Sequence, residues 1–172
     1  EKIRVLLKTS DFADTLHCEV TLTADSDFML QYGKEGELQE EVFSQGEAVT
    51  INVDSDYFVG ERIRVVPTVL TGRIKLCNVN RNQGPPSYRG QIELLRTPEG
   101  IAVVNELPLE EYLYSVVPSE MPASYPLEAL KAQSGAARTY SLGKIQKSEA
   151  GGNPKAHPKA PVCDSTHCQV YR

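Results

Sequence analysis

Glu120, Lys131 and Arg138 are the first residues whose types and spacing could do chemistry; His157, Cys163, His167 and Cys168 are the second group. Glu120 sits in Pro118-Ser119-Glu120-Met121-Pro122, where a proline on each side restricts the backbone. Lys131 and Arg138 are seven residues apart. On a helix this places them on one side, about two turns apart. One carboxyl group with supporting cations can act as general acid and base on a sugar. The plainer reading is a loop glutamate facing water beside two solvated helix charges. The second group reads His-x5-Cys-x3-His-Cys. Thiolates and imidazoles are zinc ligands, although this spacing is not that of a finger, and adjacent His167 and Cys168 need a tight turn to share one ion. A Cys163–Cys168 disulfide or two free thiols fit the same residues. Nucleophilic Cys-His catalysis is the weaker reading, since no helix terminus stands beside Cys163 to lower its pKa.

The elements that must position Glu120 run from Asn105 to Tyr140. A first helix opens at Pro108. Glu110 and Glu111 follow, where the helix dipole favours carboxylates, and they read as helix-start residues without a catalytic part. Leu109, Tyr112, Leu113 and Val116 form its apolar stripe. Pro118 is expected to end it, leaving Glu120 on a stiff loop. Ser124 is the expected N-cap of a second helix with Pro126 in its first turn. Leu127, Leu130, Ser134, Ala137 and Ser141 give that helix a narrow face of small residues and leucines.

Upstream, short strand-like runs stand at Ile3–Leu7, His17–Leu22 and Asp27–Leu30, and alternating runs predict further strands at Ala48–Val53, Arg62–Val66 and Arg73–Val79. Asn80–Ser87 reads as a loop or boundary. Gln91–Leu95 and Ile101–Asn105 flank Pro98-Glu99-Gly100 as a hairpin. The expected fold is α+β: an antiparallel, β-rich first half, with a helix-loop-helix that carries the site packed on the sheet. Cys18 and Cys77, in strand-like runs, are expected as buried free thiols. Lys147–Pro161 is rich in turn residues and is expected to be mobile.

The chain has 172 residues and a net charge of −5. The charge is uneven. Residues 1–60 hold 13 acids and 4 Lys/Arg (4 − 13 = −9), and residues 61–172 hold 10 acids and 14 Lys/Arg (14 − 10 = +4). The second region can meet an anionic polymer such as cell wall; ordinary solvated surface is the plain alternative. No basic helix or aromatic-basic interleaving points to nucleic acid, and the pI is acidic. No run of 18 apolar residues spans a membrane. No leader pattern is present, so the sequence reads as a piece that starts after any export signal or anchor.

The run ELPLEEYLYSVVPSEMPASYPLEALKAQSGAARTY closely resembles the stage II sporulation protein D family, which includes amidase enhancers. The resemblance extends to YRGQIEL (Tyr88–Leu94), to CDSTHCQVY (Cys163–Tyr171) and to the opening IRVLL-like strand. It implies one architecture: residues 1–86 as its β-rich N-terminal region and 87–172 as the N-terminal part of the catalytic region, with later residues completing the cleft. It implies a peptidoglycan lytic transglycosylase in which Glu120 is the catalytic acid/base and Lys131 supports catalysis. Arg138, Ser119 and Tyr125 are then assigned to substrate binding. The carboxyl of such an acid is expected to be raised by burial, with Met121, Val117 and Tyr125 as apolar neighbours. The resemblance also supports a structural zinc on His157, Cys163, His167 and Cys168. The implied substrate is glycan stripped of stem peptides, during engulfment in a spore former. The implied partners are a cell-wall amidase and a membrane anchor protein, and the implied location is extracytoplasmic. A non-catalytic glycan-binding or amidase-stimulating module is the alternative. The sequence departs from the family at Ser134-Gly135, where small apolar residues are usual; glycine there costs about 1 kcal/mol of helix.

Overall fold

The computed structural model describes residues 1–172. In chain order it forms β1 (Lys2–Leu7), β2 (Glu19–Ala24), β3 (Phe28–Tyr32), β4 (Gln39–Phe43), β5 (Val49–Asn52), β6 (Arg62–Pro67) and β7 (Ile74–Leu76). Then follow β8 (Ser87–Tyr88), β9 (Gln91–Thr97), β10 (Gly100–Pro108), α1 (Leu109–Glu120), α2 (Leu127–Glu149) and β11 (Val162–Cys163). The fold is α+β, and most strands lie in the first half. No helix is long and apolar enough to cross a membrane.

A seven-stranded sheet has the order β11-β1-β10-β9-β6-β3-β4. All its neighbours are antiparallel except β1 and β11. A second, antiparallel sheet has the order β5-β2-β7-β8. Alternation sets which residues go inward: Ile3, Val5 and Leu7 of β1 point into the main core. That core joins both sheets to the helices, with Leu22 and Ile74 meeting Leu94, Val103, Tyr112, Val116 and Ile145. Pairing of β6 with β9 carries the large sheet across the 86/87 boundary. On the other side of β1 and β10, Leu6, Ala102 and Val104 are covered by Ala160 and Cys163. The Pro98-Glu99-Gly100 turn closes the β9–β10 hairpin as expected. Gly100 has φ +150° and stands against the His17 carbonyl, where a Cβ would collide.

Several local expectations are corrected. Pro118 lies inside α1 and does not end it. Its missing N–H leaves only the Tyr114 carbonyl without a helical donor, and Tyr114 is solvent-exposed. The helix resumes with Met121 N–H donating to Val117 O at 2.9 Å. Glu120 is therefore the last residue of a helix, not part of a loop. Ser124 does not cap α2; Pro126 takes the N-cap position, and its carbonyl accepts from Ala129 and Leu130. Helix α2 runs on to Glu149, so the turn-rich segment begins later than Lys147. Its buried residues are Ala137, Ser141 and Ile145, whereas Leu127 is 64% exposed. Cys18 is exposed, just before β2, and Cys77 is half-buried, just after β7.

Candidate functional site

Helix α1 leaves β10 directly and packs on β10, β1 and α2 through Leu109, Tyr112, Leu113 and Val116. It thus carries Glu120 to the far end of a fixed rod, next to the C-terminal segment. Oε1 of Glu120 accepts a hydrogen bond from the Val170 N–H. The Glu120 side chain is otherwise open: Glu120 and Tyr125 are exposed and Val117 and Met121 half-buried, so the expected apolar enclosure is not formed. Ser119 turns back on its own helix, its hydroxyl donating to Ser115 O at 2.7 Å.

Neither cation pairs with Glu120. Lys131 is bound to Glu128 at 3.2 Å on the exposed side of α2. The Arg138 guanidinium donates from Nε and Nη2 to both oxygens of Glu110, each at 3.0 Å. Glu110 therefore ties α1 to α2, a part that its place at a helix start conceals.

The Val170 donor is fixed by anchors on three sides. Gln169 Nε2 donates to Ser141 Oγ at 3.0 Å and Tyr112 Oη at 3.4 Å. The Tyr171 hydroxyl donates to Asn105 Oδ1 at 2.6 Å, and its ring packs against Tyr88 and Tyr112. Asp164 is fully buried; it meets Arg81 Nη2 at 2.7 Å and accepts the Lys8 N–H. Burial pushes the Asp164 carboxyl up to about 6, against the opposing pull of Arg81 and of that N–H. Arg81 donates in addition to the carbonyls of Thr9, Asn80 and Lys8. No local pattern marks these anchors; an aspartate in a Cys-Asp-Ser-Thr run shows no partner 83 residues away.

The structure brings His157, Cys163, His167 and Cys168 together, with all four ligand atoms within 4.8 Å of one another. The Cys168 sulfur lies 3.3 Å from His157 Nε2 and 3.5 Å from His167 Nδ1, and the Cys163 sulfur 3.8 Å from His167 Nδ1. A tetrahedral zinc with its usual bond lengths holds sulfur and nitrogen about 3.6 Å apart. Ala160 O, which can only accept, lies 2.9 Å from His157 Nδ1. That fixes the tautomer and presents Nε2 inward, as an outer partner of a metal ligand does. Both thiols are free. A hydrogen bond from Cys168 lowers the Cys163 thiol against its burial, and the same bond with burial raises Cys168. Burial opposes charge on His157, but hydrogen bonds to Cys163 and Ala160 outweigh it and raise the imidazole. These four residues fit a metal ion.

The sequence model of the stage II sporulation protein family matches residues 97–172, which hold Glu120, Val170 and the His157, Cys163, His167 and Cys168 group. Stage II sporulation protein D of Bacillus subtilis is 39% identical over 94 residues, 51% of this chain and 26% of that protein. An amidase enhancer of the same organism is 52% identical over 59 residues, 34% of this chain and 6% of that protein. An uncharacterized protein of Brachyspira hyodysenteriae is 45% identical over 60 residues, 35% of this chain and 16% of that protein. Residues 97–172 carry the stage II sporulation protein domain, and the similar relatives include stage II sporulation protein D and an amidase enhancer. It spans about a quarter or less of the length of these relatives. No solved structure matches it significantly.

Proposed function

We propose that the protein is an extracytoplasmic lytic transglycosylase that cleaves peptidoglycan glycan strands in cell-wall remodelling during sporulation. The observation that carries this reading is Glu120, a carboxyl at a helix end with one oxygen held by a backbone N–H and the other free. Oε1 is taken by Val170, so the mobile proton belongs on Oε2. In its protonated form Glu120 gives that proton to the glycosidic oxygen as the C1–O bond breaks. The resulting carboxylate takes the proton of the C6 hydroxyl as O6 bonds to C1. An anhydro ring closes, the acid is regenerated and no water is consumed. This differs from glycoside hydrolysis, which needs two carboxyl groups. Lys131 and Arg138, on the helix that follows, serve to orient the strand and stabilise charge, with Ser119 and Tyr125 as further contacts.

His157, Cys163, His167 and Cys168 would hold a structural zinc. Its role is to fix the segment that supplies the Val170 N–H. The partners this reading implies are a cell-wall amidase, which yields strands stripped of peptides, and a membrane anchor protein.

A second reading, a glycan-binding or amidase-stimulating module, is favoured by the openness of Glu120 and by the amidase enhancer among the relatives. Mass spectrometry of glycan strands incubated with the protein separates the two. Anhydro-muramic acid ends are expected for the enzyme. Bound but unchanged strands would support the module.

A further inference from the structure

A polar cleft of about 180 Å³ runs along α1 and is lined by Arg73, Ser87, Arg89, Glu111, Tyr114 and Ser115, among others. It shares Arg73, Ser87, Tyr114 and Ser115 with a larger cleft of about 550 Å³ that reaches Pro118 and Ser119, the residues just before Glu120. From Ser115 to Glu120 the helix advances about 7.5 Å. The two clefts thus run together along α1 as far as Ser119, the residue before the candidate acid. A separate cavity of about 700 Å³ is lined by Gln31, Lys34, Arg62 and Arg64 among others and contains none of these residues.

The cleft has unspent recognition capacity. The Arg89 guanidinium lies over the Tyr114 ring, 5.3 Å from its centroid, and makes no hydrogen bond or ion pair within the protein. A guanidinium laid on a ring keeps its N–H edge free for a planar anion. The Arg73 side chain is also unpaired; only its backbone is engaged, the N–H donating to Asp25 Oδ1 at 2.6 Å and the carbonyl accepting the Asp25 N–H at 3.1 Å. Glu111 is the one carboxylate in the lining, so two cations face one anion. Tyr114 is 61% exposed and offers ring surface to a sugar. Ser87 and Ser115 add hydroxyls.

We propose that this cleft is a subsite for a sugar bearing a carboxylate, with the sugar against Tyr114 and its carboxylate bridged by Arg73 and Arg89. This rests on the reading of the protein as one that engages peptidoglycan strands. The sugar of that description there is N-acetylmuramic acid, whose lactyl carboxylate is free only when no stem peptide is attached. The two arginines therefore select stripped strands by charge, and an attached peptide removes the group they read.

The test is calorimetric binding of three tetrasaccharides to the Glu120→Gln protein, where turnover does not intrude. The probes are a peptide-free peptidoglycan tetrasaccharide, the same compound with its lactyl carboxylates converted to amides, and chitotetraose. The free carboxylate should strengthen binding by about tenfold or more, the size of one or two charge-assisted hydrogen bonds. The advantage should shrink as salt rises. Arg73→Gln with Arg89→Gln should abolish it and leave chitotetraose binding unchanged, while Arg89→Lys should restore only part. Neither side chain has a protein partner to lose apart from the Tyr114 ring, so each single change should melt like the parent. Equal binding of acid and amide, a preference that survives both substitutions, or no binding of any probe would overturn the subsite. Strand cleavage by the parent is scored separately. An arginine-dependent preference without cleavage keeps the subsite and removes the transglycosylase; cleavage without the preference does the reverse.

Discussion

Arg138 grips Glu110 with two parallel N–H···O bonds, and this hydrogen-bonded guanidinium draws the Glu110 carboxyl below its ordinary range. The pair is exposed, so its weight in stability is small. Glu110→Gln and Arg138→Ala should therefore lower the melting temperature by similar, slight amounts. Only Arg138→Ala should also reduce strand cleavage. Equal loss of cleavage in both would make the pair, rather than a free cation, the functional unit. The Lys131–Glu128 pair is more open still. Lys131→Ala should change stability by less than about 0.5 kcal/mol while lowering activity. The buried pair behaves otherwise. Asp164→Ala strands the Arg81 charge, whose side chain is 4% exposed. Loss of one partner of a buried pair costs about 3–5 kcal/mol, which urea unfolding should register. A loss under about 1 kcal/mol would mean that water reaches Arg81.

At the scale of elements, the segment from His157 to Tyr171 joins the candidate metal ligands to the Glu120 hydrogen bond. Protein purified without chelator should carry about one zinc per chain. Removal of the metal should raise hydrogen exchange at the Val170 and Tyr171 amides before the sheet is affected. A zinc-free protein with a Cys163–Cys168 disulfide and an unchanged Val170 amide would contradict the coupling. Between α2 and this loop the chain makes only local turns, and Gly151, Gly152 and Lys155 are exposed. Trypsin should nick first at Lys155; first cleavage within α2 would contradict this reading. The same elements show how far the sequence could be read. The β6 run was legible because it alternates apolar and polar residues against a buried face, and β9 and β10 because apolar runs flank the Pro98-Glu99-Gly100 turn. The edge strand β4 was not: Gln39-Glu40-Glu41-Val42 faces solvent, and only Phe43 is buried. Strands β8 and β11 have two residues each, too few for any period. The candidate metal ligands were legible by type. Their convergence depends on β11 adding to β1 in parallel, which no local pattern encodes.

For the whole molecule, the sheet that crosses the 86/87 boundary makes one rigid base for α1. The acidic first region and the basic second region then leave the positive charge on the part that carries Glu120, Arg73, Arg89 and the candidate metal ligands. Glu120 itself was found through its motif; its helix-end position and its Val170 partner come from packing between residues 50 apart. The most direct test of the account is strand cleavage by Glu120→Gln, with glycan binding measured in parallel. Glutamine keeps the size and can still accept the Val170 N–H, but it cannot carry the proton. The account predicts that anhydro ends fall by at least about 10²–10⁴-fold, the usual contribution of general acid/base catalysis, while binding stays near the parental level. Anhydro ends formed at near-parental rate by Glu120→Gln would contradict it.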